Sequence, residues 1–483
     1  MKIALKKKEL FFTGLLTILT LVSGCYGIYA GKYYFCLIPF LALGGWWALH
    51  DYSIIYFALL TTLPFSLSIS IGSATVDIPS EPLMLCLLPL SSLIILKNRD
   101  LDMSFLRHPI TLLLAAHFAW MVFVSFFSVN PLHSVKYLLS KTWYITAFFF
   151  FTAVLFRKAE DFRKIFWCLL FPLLIVVVYT LIRHYKLGFG FETSNKPMNP
   201  FFFNHVLYSS ALVIFLPFLV FAWRNKNYNF NIFRNIALGS GLVLFLIGIG
   251  FSYTRASWLG IPLAIVVFLV VKNNLMKASL ILTGVMIFAS VVYIARNYKF
   301  MDYAPDFNKT IFHNGDIGGH LKATYQMEDV SGMERIYRWV AAKRMFEDRP
   351  ILGSGPSTFY PEYRRYTLNS FYTYVSDNPE HSSTHNYFLM VLCEQGIAGF
   401  LLFTSLCVLL LLTGTKIYKT SGNIQHRNLA MACTISLTIF YLHLMLNDLV
   451  ETDKIGSLFF IVMAILVKLD IWTREQQGGP QEN

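Results

Sequence analysis

Charged residues are scarce in this chain. Asp, Glu, Lys and Arg make up 14% of its 483 residues, whereas soluble domains contain about 25%. Apolar residues take their place, because 56% of the chain is hydrophobic and phenylalanine alone contributes 45 residues. This composition excludes an ordinary soluble domain and is typical of a protein that crosses a membrane many times.

Cysteine motifs and internal repeats are also missing from the sequence. The seven cysteines all lie in apolar segments, and neither a CxxC pair nor a Cys/His zinc spacing occurs. We therefore expect no disulfide framework and no structural zinc site. The formal net charge is +13, but the basic residues are spread over short loops. This distribution argues against nucleic-acid binding and favours the positive-inside asymmetry of membrane proteins.

Long apolar runs dominate the rest of the chain. A membrane-spanning helix needs about 20 mostly apolar residues. The first run follows the basic string MKIALKKKEL, and we predict an anchor helix there because no convincing signal-peptidase site follows. Two runs, 143–157 and 257–271, are short enough to be re-entrant, so 12 spans are an alternative to 14. The predicted segments are 10–30, 33–50, 53–72, 82–97, 109–128, 143–157, 164–182, 203–222, 235–252, 257–271, 277–294, 386–412, 429–447 and 455–470.

One polar island, residues 295–384, separates two groups of apolar segments. With the N-terminus placed inside, most basic residues of the short loops fall inside, and only a few, such as Lys136 and Lys141, fall outside. The positive-inside rule then puts both termini in the cytoplasm and the island on the outer face. We predict an all-α polytopic membrane protein of 12–14 transmembrane helices with one large, partly helical periplasmic loop. Its parts are an N-terminal bundle of about 11 spans (1–294), the island (295–384), C-terminal transmembrane helices (385–472) and a cytoplasmic tail (473–483).

Two arginines lie near the middle of the island, in VSGMERIYRWVAAKRMFEDRPILGSG. Ser331 and Glu334 form a capping box, which predicts a helix that begins there and ends near Asp348, before the proline. Arg335 would then lie in the first turn, where unpaired N–H groups and the helix dipole favour an anion, and Arg338 would share its face. The alternative is a surface helix with solvated charges. The following GSG turn permits a close backbone approach.

A histidine and an asparagine begin the apolar run after the island, in HSSTHNYFLM. We place His385 in the first helical turn, where the helix dipole disfavours the protonated ring and leaves a neutral base. Asn386 would support it. The alternative is an interfacial histidine with a structural hydrogen bond. His381 and His385 could together ligate zinc, but the glutamate of a hydrolytic HExxH motif is missing, so no metal is expected.

Other charged residues lie at or near the ends of spans. Arg255, in FSYTRASWLG, is costly near hydrocarbon and is expected to face a cavity, with a snorkelling interfacial arginine as the alternative. Arg183 follows the seventh span and could extend a basic funnel. Asp448 and Glu451 could orient the base or pair with an arginine, or be ordinary interfacial carboxylates. Glu394 lies inside a span, so we expect it to pair with a polar neighbour.

Three motifs in this order resemble the O-antigen ligase superfamily, which includes lipopolysaccharide O-antigen ligases, O-antigen polymerases and bacterial protein O-oligosaccharyltransferases. They are TRASWLG after a span, SGMERIYRWVAAKRMFEDRPILGSGPSTF in the large outer loop, and STHNYFLMVLCEQGIAGF at the start of the next span. Together they cover residues 235–412, and the predicted topology agrees with the family over the whole chain.

The resemblance implies a membrane-embedded glycosyltransferase that needs no nucleotide sugar, metal or other cofactor. Its donor would be a glycan on undecaprenyl pyrophosphate in the outer leaflet of a bacterial inner membrane. Arg255 and Arg335 would bind the pyrophosphate, since guanidinium groups match phosphate oxygens, and Arg338 and Arg183 are further candidates for this role. His385 would take the proton from the acceptor hydroxyl, giving inversion at the anomeric carbon.

Three kinds of acceptor remain open, because each presents a hydroxyl. A ligase would use lipid A-core, a polymerase a further glycan unit, and a protein transferase a Ser or Thr side chain; we favour the ligase. The competing class is a transporter, such as a flippase for lipid-linked oligosaccharides. Transporters commonly show two related halves and charged residues near the bilayer midplane, whereas here the polar residues concentrate in one outer loop.

Overall fold

Helices make up most of the structure, which confirms the predicted all-α class. The computed structural model describes residues 17–23, 26, 51–71, 74–97, 102–224, 232–296, 330–367 and 383–478. The helices from residue 51 onward are α1 (Tyr52–Thr62), α2 (Ser80–Lys97), α3 (Pro109–Ser125), α4 (Pro131–Leu155), α5 (Phe162–Lys186), α6 (His205–Arg224), α7 (Ile232–Gly250), α8 (Arg255–Lys272), α9 (Met276–Arg296), α10 (Val330–Asp348), α11 (Phe359–Tyr366), α12 (Tyr387–Thr420), α13 (Ile424–Leu444) and α14 (Asp453–Gly478).

Seven helices among the described residues are long and apolar enough to cross a membrane, as expected for a polytopic membrane protein. The predicted segments from residue 53 onward each contain a described helix, while 33–50 and most of 10–30 lie outside the described residues. Both segments for which we left a re-entrant path open belong to helices of spanning length. The seven are Pro131–Leu155, Ala159–Lys186, His205–Arg224, Arg255–Lys272, Met276–Tyr293, Tyr387–Thr420 and Asp453–Gln477.

A small β-hairpin occupies part of the predicted span 53–72. Helix α1 ends at Thr62, and strand β1 (Leu67–Ile71) pairs antiparallel with β2 (Ala74–Ile78). The continuous-span prediction is therefore wrong in its second half. The reason is visible in LSISI, where small polar and β-branched residues alternate with period two, a pattern that suits a half-exposed strand better than a helix.

Helix α4 begins twelve residues earlier than the apolar run 143–157 suggested, at Pro131. Asn130 caps it, since the Asn130 side chain accepts a hydrogen bond from the His133 backbone N–H at 3.4 Å. Residues Ile145–Phe150 form a π-helical segment in its middle. Lys136 and Lys141, which we assigned to an outside loop, thus belong to a helix, and Lys141 is buried. The first half of α4 is polar, so apolar runs alone do not predict that the helix begins there.

Helix α14 is the most enclosed of the candidate spans and packs against α4, α12 and α13. At its far end the buried carboxylate of Asp470 contacts His108 at 3.1 Å, Lys416 at 3.2 Å and Arg474 at 2.5 Å. A buried carboxylate is costly unless it is paired. These partners therefore fix α3, α12 and α14 together at the end of the bundle opposite His385.

The described part of the island forms a second, smaller core against α12. Helices α10 and α11 contribute Ala341, Met345, Phe359 and Tyr363, which pack with Cys393 of α12. Helix α10 ends at Asp348, as the proline signal predicted, and it begins at Val330, one residue before the serine of the capping box. Residues 297–329 and 368–382 of the island lie outside the described residues. The domain boundaries at 294 and 384 stay predictions.

Candidate active site

His385 lies in a tight segment just before helix α12. Thr384 is fully buried, and its hydroxyl donates to the Asn386 carbonyl at 2.7 Å and accepts from the Asn386 backbone N–H at 3.1 Å. His385 itself has φ +51°, an uncommon conformation for a residue with a side chain. The Asn386 side chain caps α12 by accepting from the Leu389 backbone N–H at 3.1 Å. His385 therefore precedes the helix, and our placement in its first turn is wrong.

Arg338 is held against this segment from helix α10. Its guanidinium donates to the Ser383 carbonyl at 2.9 Å and lies 5.7 Å from the ring centre of Tyr363. The side chain is 1% exposed, so the arginine is fixed in a pocket and does not extend into solvent. This rules out the alternative of a solvated surface charge for Arg338.

Arg335 lies one turn before Arg338 on α10 and is half-buried. The helix begins at Val330, so Arg335 falls in the second turn, and the argument from unpaired first-turn N–H groups does not apply to it. The side chains of Ser331 and Glu334 lie outside the described residues. Arg335 and Arg338 are nevertheless both close enough to His385 for their charges to act on it.

His385 is kept neutral, as predicted, but for a different reason. Burial is the main cause, and the positive charges of Arg338 and Arg335 add to it; together they lower the pKa of His385 from 6.5 to about 3. The helix dipole is not needed to explain this shift. A histidine with so low a pKa accepts a proton readily only when nearby positive charge is offset.

Asp448 completes the group around His385. The Thr384 hydroxyl lies 3.5 Å from its carboxylate, and the His385 backbone donates a hydrogen bond to it. Burial and the negative charge of Glu451 raise the pKa of Asp448 from 3.8 to about 7, against the opposing effect of these hydrogen bonds and of Arg338. The carboxylate thus lies beside the histidine segment, and its charge changes near neutral pH.

The GSG turn docks directly on helix α12, as the glycine pattern suggested. The backbone N–H groups of Ser354 and Gly355 donate to the carbonyls of Cys393 and Glu394 at 3.0 and 2.8 Å, and the Ile397 N–H donates to the Pro350 carbonyl at 2.9 Å. These bonds replace helical bonds that α12 lacks at its kink. A Cβ on either glycine of the turn would overlap neighbouring atoms, so the close approach requires glycine.

Gly396 forms the kink in α12 and has φ +68°. A Cβ at this position would overlap the Ile351 carbonyl oxygen. Only glycine combines this backbone conformation with such a contact. The kink therefore fixes where the island meets the helix that begins beside His385.

Glu394 joins the same turn through its side chain. Its carboxylate accepts hydrogen bonds from the Ser357 N–H at 2.8 Å and the Phe359 N–H at 2.9 Å, and the side chain is buried. Our expectation that Glu394 pairs with a polar neighbour is confirmed. Because Phe359 begins α11, this one carboxylate holds the start of α11 and the GSG turn on α12.

Arg255 and Arg183 lie on other helices than Arg335 and Arg338. Arg255 begins α8 and is half-buried; two residues later, Ser257 contacts His443 of α13 at 3.1 Å, and α13 leads to the Asp448 turn. Arg183 contacts the Tyr179 hydroxyl and the Asn199 carbonyl. His381, the second candidate zinc ligand, lies outside the described residues.

Sequence reasoning missed a buried cluster beside Asp448. Lys141 of α4 forms an ion pair with Glu451 at 2.9 Å, and the Tyr137 hydroxyl donates to the same carboxylate at 2.9 Å. Tyr387, the first residue of α12, also hydrogen bonds with Glu451. The sequence contains one relevant signal, a lysine four residues after a tyrosine in a polar stretch. This spacing places both side chains on one face of a helix, so it is informative only once α4 is known to be helical there.

Comparison with known proteins agrees with the motifs. Residues 240–404, about a third of the chain, match the family model described as O-Antigen ligase. This range contains Arg255, Arg335, Arg338 and His385, whereas Arg183, Asp448 and Lys141 lie outside it. No curated protein matches the chain. The matched domain, carried on a polytopic helical membrane protein, supports the resemblance to the O-antigen ligase superfamily.

Proposed function

We propose that the protein transfers a glycan from undecaprenyl pyrophosphate to an acceptor hydroxyl at the periplasmic face of a bacterial inner membrane. The observation that carries this proposal is the environment of His385: its side chain is buried and kept neutral near the charges of Arg338 and Arg335, and its backbone N–H donates to the carboxylate of Asp448. The family supports glycan transfer in general. The donor, the mechanism and the orientation in the membrane belong to the proposal.

Arg338 and Arg335 bind the pyrophosphate of the donor. Both bring positive charge to His385, and a guanidinium group forms paired hydrogen bonds with phosphate oxygens. Negative charge grows on the pyrophosphate as the glycosidic bond breaks, so the same arginines stabilise the transition state. Arg255 and Arg183 stay further candidates for donor contact.

His385 acts as the general base. It takes the proton of the acceptor hydroxyl while the acceptor oxygen forms a bond to the anomeric carbon. The bond between that carbon and the pyrophosphate oxygen breaks, and the leaving group keeps the electron pair. The configuration inverts because the acceptor attacks from the opposite face. Asp448, which holds the His385 backbone, stabilises the imidazolium that results, and Asn386 fixes the start of α12.

Donor binding activates the base. Without donor, burial and the two arginines hold the pKa of His385 at about 3, which makes it a weak base. The pyrophosphate offsets the charge of Arg338 and Arg335, so the pKa of His385 rises when donor binds. The mechanism therefore predicts an ordered reaction in which the donor binds before the acceptor loses its proton.

The acceptor is proposed as lipid A-core, which makes the protein an O-antigen ligase in the strict sense. A growing glycan or a Ser/Thr hydroxyl of a periplasmic protein would use the same base and arginines. Neither a metal nor a nucleotide sugar takes part in the proposed reaction. Membrane lipids surround the bundle, and the donor reaches the site from the outer leaflet.

Transfer with purified protein tests the proposal. Protein in detergent is mixed with undecaprenyl-pyrophosphate glycan, EDTA and one acceptor: lipid A-core, more donor, or a Ser/Thr-rich periplasmic protein. Product on lipid A-core supports the ligase, and product on another acceptor reassigns the subtype. A different result would support the flippase instead: the protein moves the donor across vesicle membranes, transfers no glycan to any acceptor, and moves the donor equally well in His385→Gln.

A further inference from the structure

A buried ion pair lies beside the proposed site. Lys141 Nζ is 2.9 Å from Glu451 Oε1, and the side chains are 5% and 29% exposed. Burying a lysine among apolar helices is costly and needs a partner. Three aromatic rings surround the ammonium group, with centroids 5.3 Å away at Tyr137, 6.0 Å at Tyr387 and 5.8 Å at Phe460. The lysine is thus held from several sides by groups of the protein itself.

The ion pair connects three separate parts of the chain. Lys141 and Tyr137 belong to α4, Tyr387 begins α12, and Glu451 ends the short 3-10 turn between α13 and α14. The Tyr137 hydroxyl donates to Glu451 at 2.9 Å and lies 3.5 Å from the Tyr387 hydroxyl. Tyr387 is two residues after His385. The turn is therefore fixed both to α4 and to the helix that follows the proposed base.

Asp448 belongs to this same turn. The Glu451 N–H donates to the Asp448 carbonyl at 3.3 Å, so the two carboxylates are three residues apart in one compact loop. Holding Glu451 therefore holds Asp448 against Thr384 and the His385 backbone. If the turn shifted, Asp448 would lose these contacts.

The charges around Asp448 come from several elements. Glu451 disfavours its ionised form, and Arg338 of α10 favours it. Glu394 of α12 is close enough to Asp448 and Glu451 for their negative charges to act on it. Tyr137 and Tyr387 both contact Glu451. Lys141 is the cation paired with Glu451. Removing it would leave a negative charge uncompensated beside Asp448.

We propose that Lys141 is a positioning residue for the transfer reaction: through Glu451 it holds the Asp448 turn beside His385 and offsets the negative charge next to Asp448. This inference rests on the proposed function, since it assigns a role in the same reaction. Lys141 lies outside the matched family domain at 240–404. The role acts through Glu451 and Asp448 and requires no contact between Lys141 and substrate.

The test compares Lys141→Met, Glu451→Gln and the double variant in glycan transfer as a function of pH, with Lys136→Met as the matched control. Lys136 is an exposed lysine on the same helix. Lys141→Met should move the acid limb of the kcat profile up by about one pH unit, because Asp448 becomes harder to ionise. Glu451→Gln should move it down by a similar amount, and the double variant should return it to within about 0.3 units of wild type.

The rates at pH 7 should follow the same order. Lys141→Met should lose about tenfold in kcat with little change in donor KM, and the double variant should recover to within about threefold of wild type, since a neutral pair replaces a charged one. Equal rate losses with unmoved pH limbs would mean that the pair is only structural and would overturn the proposal. So would Lys141→Met matching Lys136→Met.

Two outcomes separate this inference from the proposed function. If wild-type protein transfers no glycan, the proposed function fails, and this inference fails with it. If wild type transfers and His385→Gln does not, while the Lys141 and Glu451 variants keep the wild-type profile, only this inference fails. The melting temperature of each variant is measured in detergent. If Lys141→Met does not fold, Glu451→Gln alone tests the inference, and the acid limb of its kcat profile must still move down.

Discussion

Glu394 offers the sharpest test of how the island is held at the site. Its carboxylate accepts from the backbone N–H groups of Ser357 and Phe359 at 2.8 and 2.9 Å. All three groups are at least partly enclosed between α11 and α12, so water cannot replace the carboxylate fully. Replacing Glu394 by Ala removes both acceptors and leaves two donors without their partner.

The magnitude follows from those two bonds. Leaving a buried donor without its acceptor costs about 1–3 kcal/mol, so Glu394→Ala, which leaves two such donors, should weaken docking of the GSG turn by about 2–6 kcal/mol. Glu394→Gln keeps one good acceptor and turns its amide N–H₂ toward the other donor, which should cost about 1–3 kcal/mol. Because α10 and α11 share one small core with α12, Arg338 should lose its fixed position beside His385.

Hydrogen exchange of residues 350–359 in detergent, together with glycan transfer, measures both effects. We expect exchange to accelerate in the order wild type, Glu394→Gln, Glu394→Ala, with transfer falling in the same order. Glu347→Ala, which removes an exposed glutamate of α10, serves as the control and should leave both unchanged. Wild-type exchange in Glu394→Ala would refute the reasoning that this carboxylate holds the turn.

Three further predictions concern the arginines, the histidine and the kink. Arg338→Lys and Arg335→Lys should each lose at least about tenfold in transfer, because a point charge replaces a two-pronged donor, while Arg365→Lys on the exposed face of α11 should not; equal activities would contradict pyrophosphate binding. The pKa of His385 is about 3 in the folded protein, against 6.5 for an ordinary histidine, so its contribution to the free energy of unfolding is complete above pH 6.5 and declines as the pH falls towards 3. His385→Gln should reduce the pH dependence of the free energy of unfolding over this window by up to about 1.4 kcal/mol per pH unit. An unchanged slope would contradict the burial argument. Gly396→Ala should lower transfer and accelerate exchange at 350–359, because its Cβ overlaps the Ile351 carbonyl, whereas Gly422→Ala meets open space and should behave as wild type.

Much of the fold could be predicted because apolar runs and caps act locally. The end of α10 near Asp348 followed from its proline, and the cap at Asn386 lies one residue after the histidine that the sequence singled out. The β-hairpin at 67–78 was missed because its apolar content imitates a span. The kink at Gly396 was missed because one residue with positive φ leaves no mark in a continuous apolar run.

The candidate site was predictable where charge stands out against an apolar background. His385, Arg338, Arg335 and Asp448 were all conspicuous for this reason, and the structure brings them together. Lys141 was not conspicuous, because its stretch of chain is polar and its burial depends on packing of α4 against α12 and α14. Arg183 contacts the Tyr179 hydroxyl and the Asn199 carbonyl, and its place in a basic funnel stays a prediction.

Glycan transfer by wild type and His385→Gln, under one defined condition, tests the central claim most directly. Undecaprenyl-pyrophosphate glycan and lipid A-core are supplied at saturating concentration, and glycosylated lipid A-core and free undecaprenyl pyrophosphate are both quantified. His133→Gln, at an exposed histidine of α4, is the control. The account predicts equal amounts of both products from wild type and the control, and a loss of about 10²–10⁴-fold in His385→Gln, the usual contribution of a general base. Transfer by His385→Gln at the wild-type rate would contradict it.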